Sequence, residues 1–438
     1  MTGQPGPPRT IPQASLPPPL AAADAARRIQ AEVRRQPPLR IPLDDALWSV
    51  LAEDVVSPLD IPPWTNSAMD GYAARADAVR GASAAAPVRL RVVEVIPAGA
   101  FPTRAIGPGE CARIFTGAPL PAGADSVIRQ EDVVGSGQGT VGSGEVEIYN
   151  DRDCGVNIRR AGEDLRKGAL ALPAGTALGP AGLGVLASLA VAAPLVYRRP
   201  RVAILGSGDE IVDIDQPEAI LSGRKIASSN THTLLALVRE AGGEPVNLGI
   251  AADTEASLRE HLARATDCDL LVTTAGISVG LHDHLRAVMA GLGAELRFWK
   301  LRMRPGAPVG FGLLGLMPWI GLPGNPVSTM VTFELFVRPA IRVMMGHQLP
   351  YRRTVPARVA EPIHLGPKLQ HFLRAVVSPS GDGLQVRLTG PQGSGILTSM
   401  VKANALLIIP EGQHDTPAGA QAMVLPLDEP HHVAEPPW

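Results

Sequence analysis

Several segments of this 438-residue chain combine glycine, hydroxyl and charged residues at spacings that suit an anion or a metal ion rather than a packed core. Arg201-Val202-Ala203-Ile204-Leu205 reads as a strand ending in Gly206-Ser207-Gly208-Asp209-Glu210. There the glycines let the backbone approach a ligand, and the paired acids can hold Mg2+ or orient water. The G-x-G-x-x-G spacing of a dinucleotide site is absent, and a helix-capping turn accounts for the same residues. Thr273-Thr274-Ala275-Gly276-Ile277-Ser278-Val279-Gly280 supplies small residues and free amides ahead of a helix, which makes an anion cradle. His282-Asp283-His284 follows. Alternate residues share one side of a strand, as metal ligands would, but a place at a helix start favours local hydrogen bonding or solvent exposure for the histidines.

Lys300 stands in Phe298-Trp299-Lys300-Leu301-Arg302-Met303-Arg304-Pro305-Gly306-Ala307-Pro308. The other lysines are Lys167, Lys225, Lys368 and Lys402, among 40 basic residues, so a lysine here is informative. A compact ammonium suits a tight oxyanion contact, whereas a solvated strand edge explains Arg302 better than Lys300. Gly321-Leu322-Pro323-Gly324-Asn325-Pro326-Val327-Ser328 joins a loop glycine and fixed prolines to the start of a long apolar helix running towards Met345, and so shapes an oxyanion pocket. Ser57-Pro58-Leu59-Asp60-Ile61-Pro62 and Asn66-Ser67-Ala68-Met69-Asp70-Gly71-Tyr72 form a polar-and-turn run that core packing does not explain. In Asn157-Ile158-Arg159-Arg160-Ala161-Gly162-Glu163-Asp164 the arginines point to phosphate capture and the acids to metal placement, with a surface turn as the plain alternative.

The elements that must position these residues change character along the chain. The stretch 1–20 is Pro-rich and reads as a disordered arm, without the charged and apolar regions of a signal peptide. Ala22, Ala25, Ile29 and Val33 form one stripe of a short docking helix. The expected strands of a small β domain, residues 57–159, are Val88 to Val95, Cys111 to Phe115, Ser126 to Ile128 and Glu145 to Tyr149. Over 201–347, Arg201 to Leu205, Pro245 to Ile250, Asp269 to Thr274 and Leu296 to Leu301 alternate with helical patterns, clearest at Thr233 to Ala241 and Glu255 to Ala265. That alternation predicts a parallel, doubly wound α/β sheet with ligands beyond the carboxyl ends of its strands. Short strands return over 350–427, at Phe372 to Val377, Leu384 to Leu388, Leu406 to Ile409 and Ala422 to Leu425, and predict a terminal β-barrel. Residues 428–438 read as a flexible tail.

Composition narrows the function classes. The length calls for two to four domains. A formal charge of -2 offers no global field for nucleic acid or an acidic membrane, which leaves small ligands. Cys111, Cys154 and Cys268 lack C-x-x-C spacing, which argues against a zinc site or a disulfide framework and makes the cytoplasm the simplest compartment. Residues 168–197 carry no charge, but Pro173, Pro180 and Pro194 make them a buried loop and helix rather than a membrane span.

From about residue 21 to 427 these motifs, in this order, resemble the molybdopterin molybdotransferases of the MoeA and gephyrin E-domain type. The residues that carry the resemblance are Ser57 to Pro62 with Asn66 to Tyr72, Arg113-Ile114-Phe115-Thr116-Gly117-Ala118-Pro119, Asn157 to Asp164, the Gly276 to Gly280 loop, Lys300 to Pro308, Gly321 to Ser328, Phe372-Leu373-Arg374 and Ser399 to Asn404. Departures fall at Ala275, Leu281, Ala307, Ser228 and Leu369, where the family usually has glycine, an acid, lysine, aspartate and arginine.

The resemblance implies a multidomain α/β plus β fold: an elongated linker and dimerisation domain (21–56 and 160–200), the β-rich domain, the molybdopterin-binding α/β domain and a C-terminal β-barrel. It implies an enzyme of molybdenum cofactor biosynthesis that inserts molybdate into adenylated molybdopterin with Mg2+-dependent release of AMP. Asp60, Thr116, Asp164, Glu210, Asp253, Asp283 and Lys300 would be catalytic, with Glu210, Asp253 and Asp283 on the metal. Ser207, Gly208, Gly276, Ser278, Gly280, Arg304, Pro323, Asn325, Pro326, Arg374 and Ser399 would bind the cofactor. It further implies a homodimer in which acids of 57–159 and 201–347 meet across subunits, and it allows transient contact with the molybdopterin adenylyltransferase. The departures motivate one rival, a non-catalytic cofactor-binding or scaffold paralogue. A tungsten-selective insertase is another, because the two oxyanions are nearly isosteric.

Overall fold

The computed structural model describes residues 18–135, 144–274, 284–366, 368–381 and 383–427. The chain divides into two compact units, one of 1–52, 175–179 and 193–438, the other of 53–174 and 180–192.

In the first unit a six-stranded sheet runs in the order Glu244–Ala251, Arg201–Ser207, Leu270–Thr274, Met317–Leu322, Gly310–Leu314, Glu295–Phe298. The first four strands are mutually parallel, as the alternation with helices requires. The sheet is doubly wound and parallel as expected over these strands, and departs from parallel order at Gly310–Leu314. This strand lies antiparallel to both neighbours because a tight turn through Gly315, at φ 61°, leads it directly back into Met317–Leu322. The expected strand Leu296 to Leu301 is displaced to Glu295–Phe298. The apolar runs Val202 to Leu205 and Leu270 to Val272 are fully enclosed, as strands covered on both faces must be.

One face packs against Ser229–Ala241, through Leu234 and Val238, and against the helix that opens at Pro326. The other face packs against Glu255–Leu262 and His284–Gly291, through Leu258, Leu262, Leu285 and Met289. The helix from Pro326 is α-helical to Thr332, widens to a π turn over Phe333–Val337 and resumes as Arg338–Met344. Pro339, which has no N–H to donate, sits just past the widened turn. Helix Ala22–Glu32 buries Ala22, Ala25 and Ile29 in the same core, the stripe that its spacing predicts.

A closed five-stranded barrel follows, in the cyclic order Gln370–Ser380, Gly383–Leu388, Val355–Val359, Gln421–Pro426, Ala405–Ile409. Alternation along Gln370–Ser380 sends Leu373, Ala375 and Val377 inward to Leu407 and Val424, while Phe372 joins the α/β core. Met303–Arg304 adds in parallel beside Gln370 and His371, tying the Pro-Gly turn to the barrel edge.

The second unit is built on a sheet ordered Ser126–Arg129, Gly71–Ala74, Glu110–Ile114, Val88–Ile96, Glu145–Ile148, Val133–Gly135. Gly71–Ala74 is an inner strand that composition hides, since alternation is invisible in Gly-Tyr-Ala-Ala. Gly71 is required there because a Cβ would lie 2.1 Å from the Ile128 carbonyl oxygen. Two ribbons flank it, Asn66–Ser67 with Ile158–Arg159 and Val55–Val56 with Leu170–Leu172. The uncharged stretch resolves into Leu170–Leu172, a nine-residue helix Pro180–Ser188 and Leu195–Tyr197. Among the described residues no helix is long and apolar enough to cross a membrane.

Candidate functional site

Parallel strands in the first unit deliver their loops to one end of the sheet. Ser207 and Gly208 close the strand Arg201–Ser207 in buried positions, and Gly208 sits at φ 141°, where a side chain would meet the Glu210 carboxylate 2.9 Å away. Pairing of Ser207 with Ala251 brings the next loop alongside, and the Asp253 amide donates to the Asp209 carboxylate at 3.0 Å. The Lys225 ammonium donates to the Asp209 carbonyl, while Glu210 remains exposed. A cleft of 340 Å³ opens here between Gly208, Asp209, Asp213, Asp215 and the strand end at Ile250 to Ala252. Gly276, Ser278, Gly280, His282 and Asp283 lie outside the described residues, and His284 opens the helix that follows them. Among the described residues no three acidic, histidine or cysteine side chains converge as a metal site.

The loop after Met317–Leu322 is held by its neighbours. Asn230 donates to the Gly324 carbonyl at 2.7 Å, and the Thr329 hydroxyl reaches the carbonyls of Pro323 at 2.6 Å and Asn325 at 3.1 Å. Ser228, which stands where the resemblance has an acid, instead shares a 2.7 Å hydrogen bond with the Thr231 hydroxyl. Pro323, Asn325 and Ser328 then line a second cleft, of 300 Å³, with Arg304, Pro305, Gly306, Ala307, Leu369, Gln392 and Ser394. Pro326 begins the helix behind it. Arg304 is the cation of this cleft, and the side chains of Asn325, Ser328 and Ser394 have no protein partner among the described residues. Burial, helped by the Arg304 charge, holds His371 below the usual imidazole range.

Lys300 is exposed and is not among the residues lining that cleft. Its carbonyl accepts the Leu20 amide at 3.0 Å. Arg302 pairs with Glu411 at 2.9 Å, the surface role expected of it.

Arg374 and Ser399 stand behind the cleft rather than in it. Arg374 is fully buried without a carboxylate partner. Its guanidinium donates to Ser399 Oγ at 3.0 Å and to the carbonyls of Gln392 at 3.2 Å, Gly393 at 2.9 Å and Pro391 at 3.4 Å. Ser399 Oγ in turn donates to Ile396 at 2.6 Å. The donors of both residues are spent on the loop that carries Gln392 and Ser394, so they shape the cleft wall. Burial lowers the Arg374 pKa, as it must for a cation balanced only by dipoles.

In the second unit the loop of Asp60 is tied to that of Asp164, and the Thr116 turn is tied separately to Ser67. Asp60 accepts the Lys167 amide at 2.8 Å, the Asp164 amide donates to the Ile61 carbonyl at 3.0 Å, and Gly117 bonds to Ser67 at 2.9 Å. Thr116 gives both its amide, at 2.8 Å, and its hydroxyl, at 2.7 Å, to Asp70 Oδ1. Those bonds, the amide's first, hold the Asp70 carboxyl below its ordinary range, with a smaller contribution from the charge of Arg113. Thr116 therefore presents lone pairs outward rather than a donor. Asp70 is the partner that a search for charged pairs overlooks, because its role shows only once the Thr116 turn folds over it.

Similarity to known proteins follows this layout. Residues 20–190 match the MoeA N-terminal region (domain I and II), 203–343 a probable molybdopterin binding domain, and 356–427 the MoeA C-terminal region (domain IV). The molybdopterin molybdenumtransferase of Nostoc sp. is 36% identical over 392 residues, 87% of this chain and 88% of that protein. The chain belongs to the MoeA family of molybdopterin molybdenumtransferases. Molybdopterin molybdenumtransferase 2 of Mycobacterium tuberculosis is 37% identical over 408 residues, 92% of this chain and 98% of that protein. The molybdopterin biosynthesis MoeA protein of Pyrococcus horikoshii has the same fold, with a TM-score of 0.79 at 29% identity over 93% of this chain and all of its own. Within the MoeA framework Gln392 and Ser394 are the cleft residues that sequence reasoning missed. Their only signal is a Gly-Pro-Gln-Gly-Ser turn, ordinary loop composition until Arg374 is seen to grip it.

Proposed function

We propose that this chain inserts molybdate into adenylated molybdopterin, releasing AMP. The observation that carries the reading is the 300 Å³ cleft in which Arg304 faces the unspent polar groups of Asn325, Ser328 and Ser394. A tetrahedral oxyanion needs one cation and several hydrogen-bond donors around it, and a preorganised set stabilises charge without reorganisation. Arg304 would hold the anion, and exposed Lys300, just before it in sequence, would draw it in. Gly208, Glu210 and Asp253 at the strand ends would orient the phosphoanhydride and its attacking water.

Mg2+ fits this donor set, because Glu210 and Asp253 are hard oxygen ligands on loops whose strands pair directly. They would hold it with Asp283. When bound it would supply charge neutralisation at the phosphates. We further propose a homodimer, checked by a solution mass of twice 45.8 kDa, and a cytoplasmic location, in keeping with three free cysteines.

The function is tested by the metal content of the product. Incubation with adenylated molybdopterin and molybdate should yield a pterin carrying molybdenum by mass spectrometry. A pterin that stays bound but metal-free would make the chain a carrier, and exclusive loading from tungstate would make it a tungsten insertase.

A further inference from the structure

The few lysines of this chain do not share one setting. Lys167, Lys300, Lys368 and Lys402 are exposed, whereas Lys225 is half-buried. Its ammonium donates to the carbonyl of Asp209, the residue before Glu210, in the turn that follows the strand Arg201–Ser207. The backbone holds Lys225 in that place. A ribbon of Ile211–Val212 with Ile226–Ala227 runs directly on from Glu210, and the Ile226 amide donates to the Glu210 carbonyl at 2.9 Å. The Lys225 amide is itself bonded to the Ala219 carbonyl at 3.2 Å. An ammonium carries three N–H groups, and Asp209 takes one of them. Lys225 has no ion-pair partner among the described residues, so two donors and a full charge are left unspent.

The charges around the turn call for a cation. Among the described residues the 340 Å³ cleft is lined by Asp209, Asp213 and Asp215 and by no basic side chain. His232 meets Asp213 Oδ1 at 2.9 Å, which answers one of the three acids. A phosphate group entering that field is repelled unless a positive charge stands at the edge of the cleft. Arg224, next to Lys225 in sequence, does not serve. It is exposed, and its guanidinium donates to Ser222 Oγ at 3.1 Å. Lys225 stands at the Asp209 edge, and a compact ammonium can bridge a carbonyl and a phosphate oxygen in less room than a planar guanidinium needs.

We infer that Lys225 is a phosphate-binding residue of this cleft, donating to the phosphoanhydride while it holds the turn that carries Glu210. The assignment of that ligand rests on the proposed function. Lys225 and a divalent cation then share the neutralisation of a phosphate chain that the carboxylates repel. Because one ammonium serves both the Asp209 carbonyl and the phosphate, the ligand is seated in register with Glu210.

The test is calorimetric titration of the full-length protein with magnesium pyrophosphate, which needs no turnover. An Arg304→Met background removes the cation of the other cleft. Lys225→Gln keeps a donor for the Asp209 carbonyl and removes the charge. It should weaken pyrophosphate about tenfold, the scale of one charge-assisted hydrogen bond, and flatten the salt dependence. Lys225→Arg should lose less, and Arg224→Gln should lose nothing. No binding by the parent protein, wild-type affinity in Lys225→Gln, or an equal loss in Arg224→Gln would overturn the assignment. A second measurement needs no substitution at Lys225. Acetylation of Lys225 by acetic anhydride, read by peptide mass spectrometry, should slow when magnesium pyrophosphate is present, and equal labelling with and without it would also overturn the assignment. Lys225-dependent pyrophosphate binding without AMP release from adenylated molybdopterin would leave the role of Lys225 standing and remove the insertase reading. AMP release by Lys225→Gln at the wild-type rate and KM would do the reverse.

Discussion

Arg304 and Arg374 show how differently one residue type serves a site. Both are cations, but Arg304 lines the cleft with room for a ligand, whereas Arg374 is enclosed and each of its three guanidinium nitrogens donates to a carbonyl or to Ser399. Removing the Arg304 charge should cost one charge-assisted contact, on the order of 1.5–3 kcal/mol. Arg304→Met is therefore expected to raise the molybdate KM about ten- to a hundredfold, with thermal stability unchanged. Arg304→Lys should stay within about threefold, since the compact ammonium still meets an oxyanion. Initial rates across a molybdate series decide it, and a Met variant with wild-type KM would move the anion elsewhere. The motif that holds Arg304 was legible in the sequence. That Arg374 positions rather than binds was not, because it depends on which carbonyls the 390–394 loop turns inward.

At the scale of elements, the carboxyl ends of the parallel strands and the barrel were legible because apolar runs and period-two alternation report burial directly. Gly71–Ala74 and Val133–Gly135 escaped notice, being short or made of small residues whose burial comes from neighbours. So did the antiparallel course of Gly310–Leu314, which a turn decides. The Pro-Gly turn is equally a matter of fit. Gly306 has φ 98°, and a Cβ on it would lie 2.3 Å from Thr332 Cγ2 on the buried helix. Gly306→Ala should lower stability by about 1–3 kcal/mol and displace Arg304, raising the molybdate KM as well. Gly366→Ala, where a Cβ meets nothing within 4 Å, should change neither. Urea unfolding and the molybdate series on the two variants check both parts, and equal behaviour would mean that the turn is not pinned by the helix.

For the molecule as a whole, one histidine sets part of the acid limit. Burial and the adjacent Arg342 and Arg338 push His347 down to about 4 from 6.5, so it stays neutral in the folded chain where the unfolded chain would take a proton. The unfolded state therefore binds more protons between those values. Stability that is intact above pH 6.5 drains away as pH falls towards 4, by roughly 2–3 kcal/mol in all. His347→Gln should flatten the slope of unfolding free energy against pH in that window, and an unchanged slope would assign the acid limit to other groups.

Above these local tests stands the claim that the clefts perform one reaction, in which anion capture and phosphoanhydride cleavage are linked. AMP release from adenylated molybdopterin, followed by the purified chain in Mg2+ with and without molybdate, measures that link directly. The expected result is multiple-turnover release that rises with molybdate and saturates, with no other protein added. Tight binding of the substrate with no AMP released over hours, or release indifferent to molybdate, would contradict it.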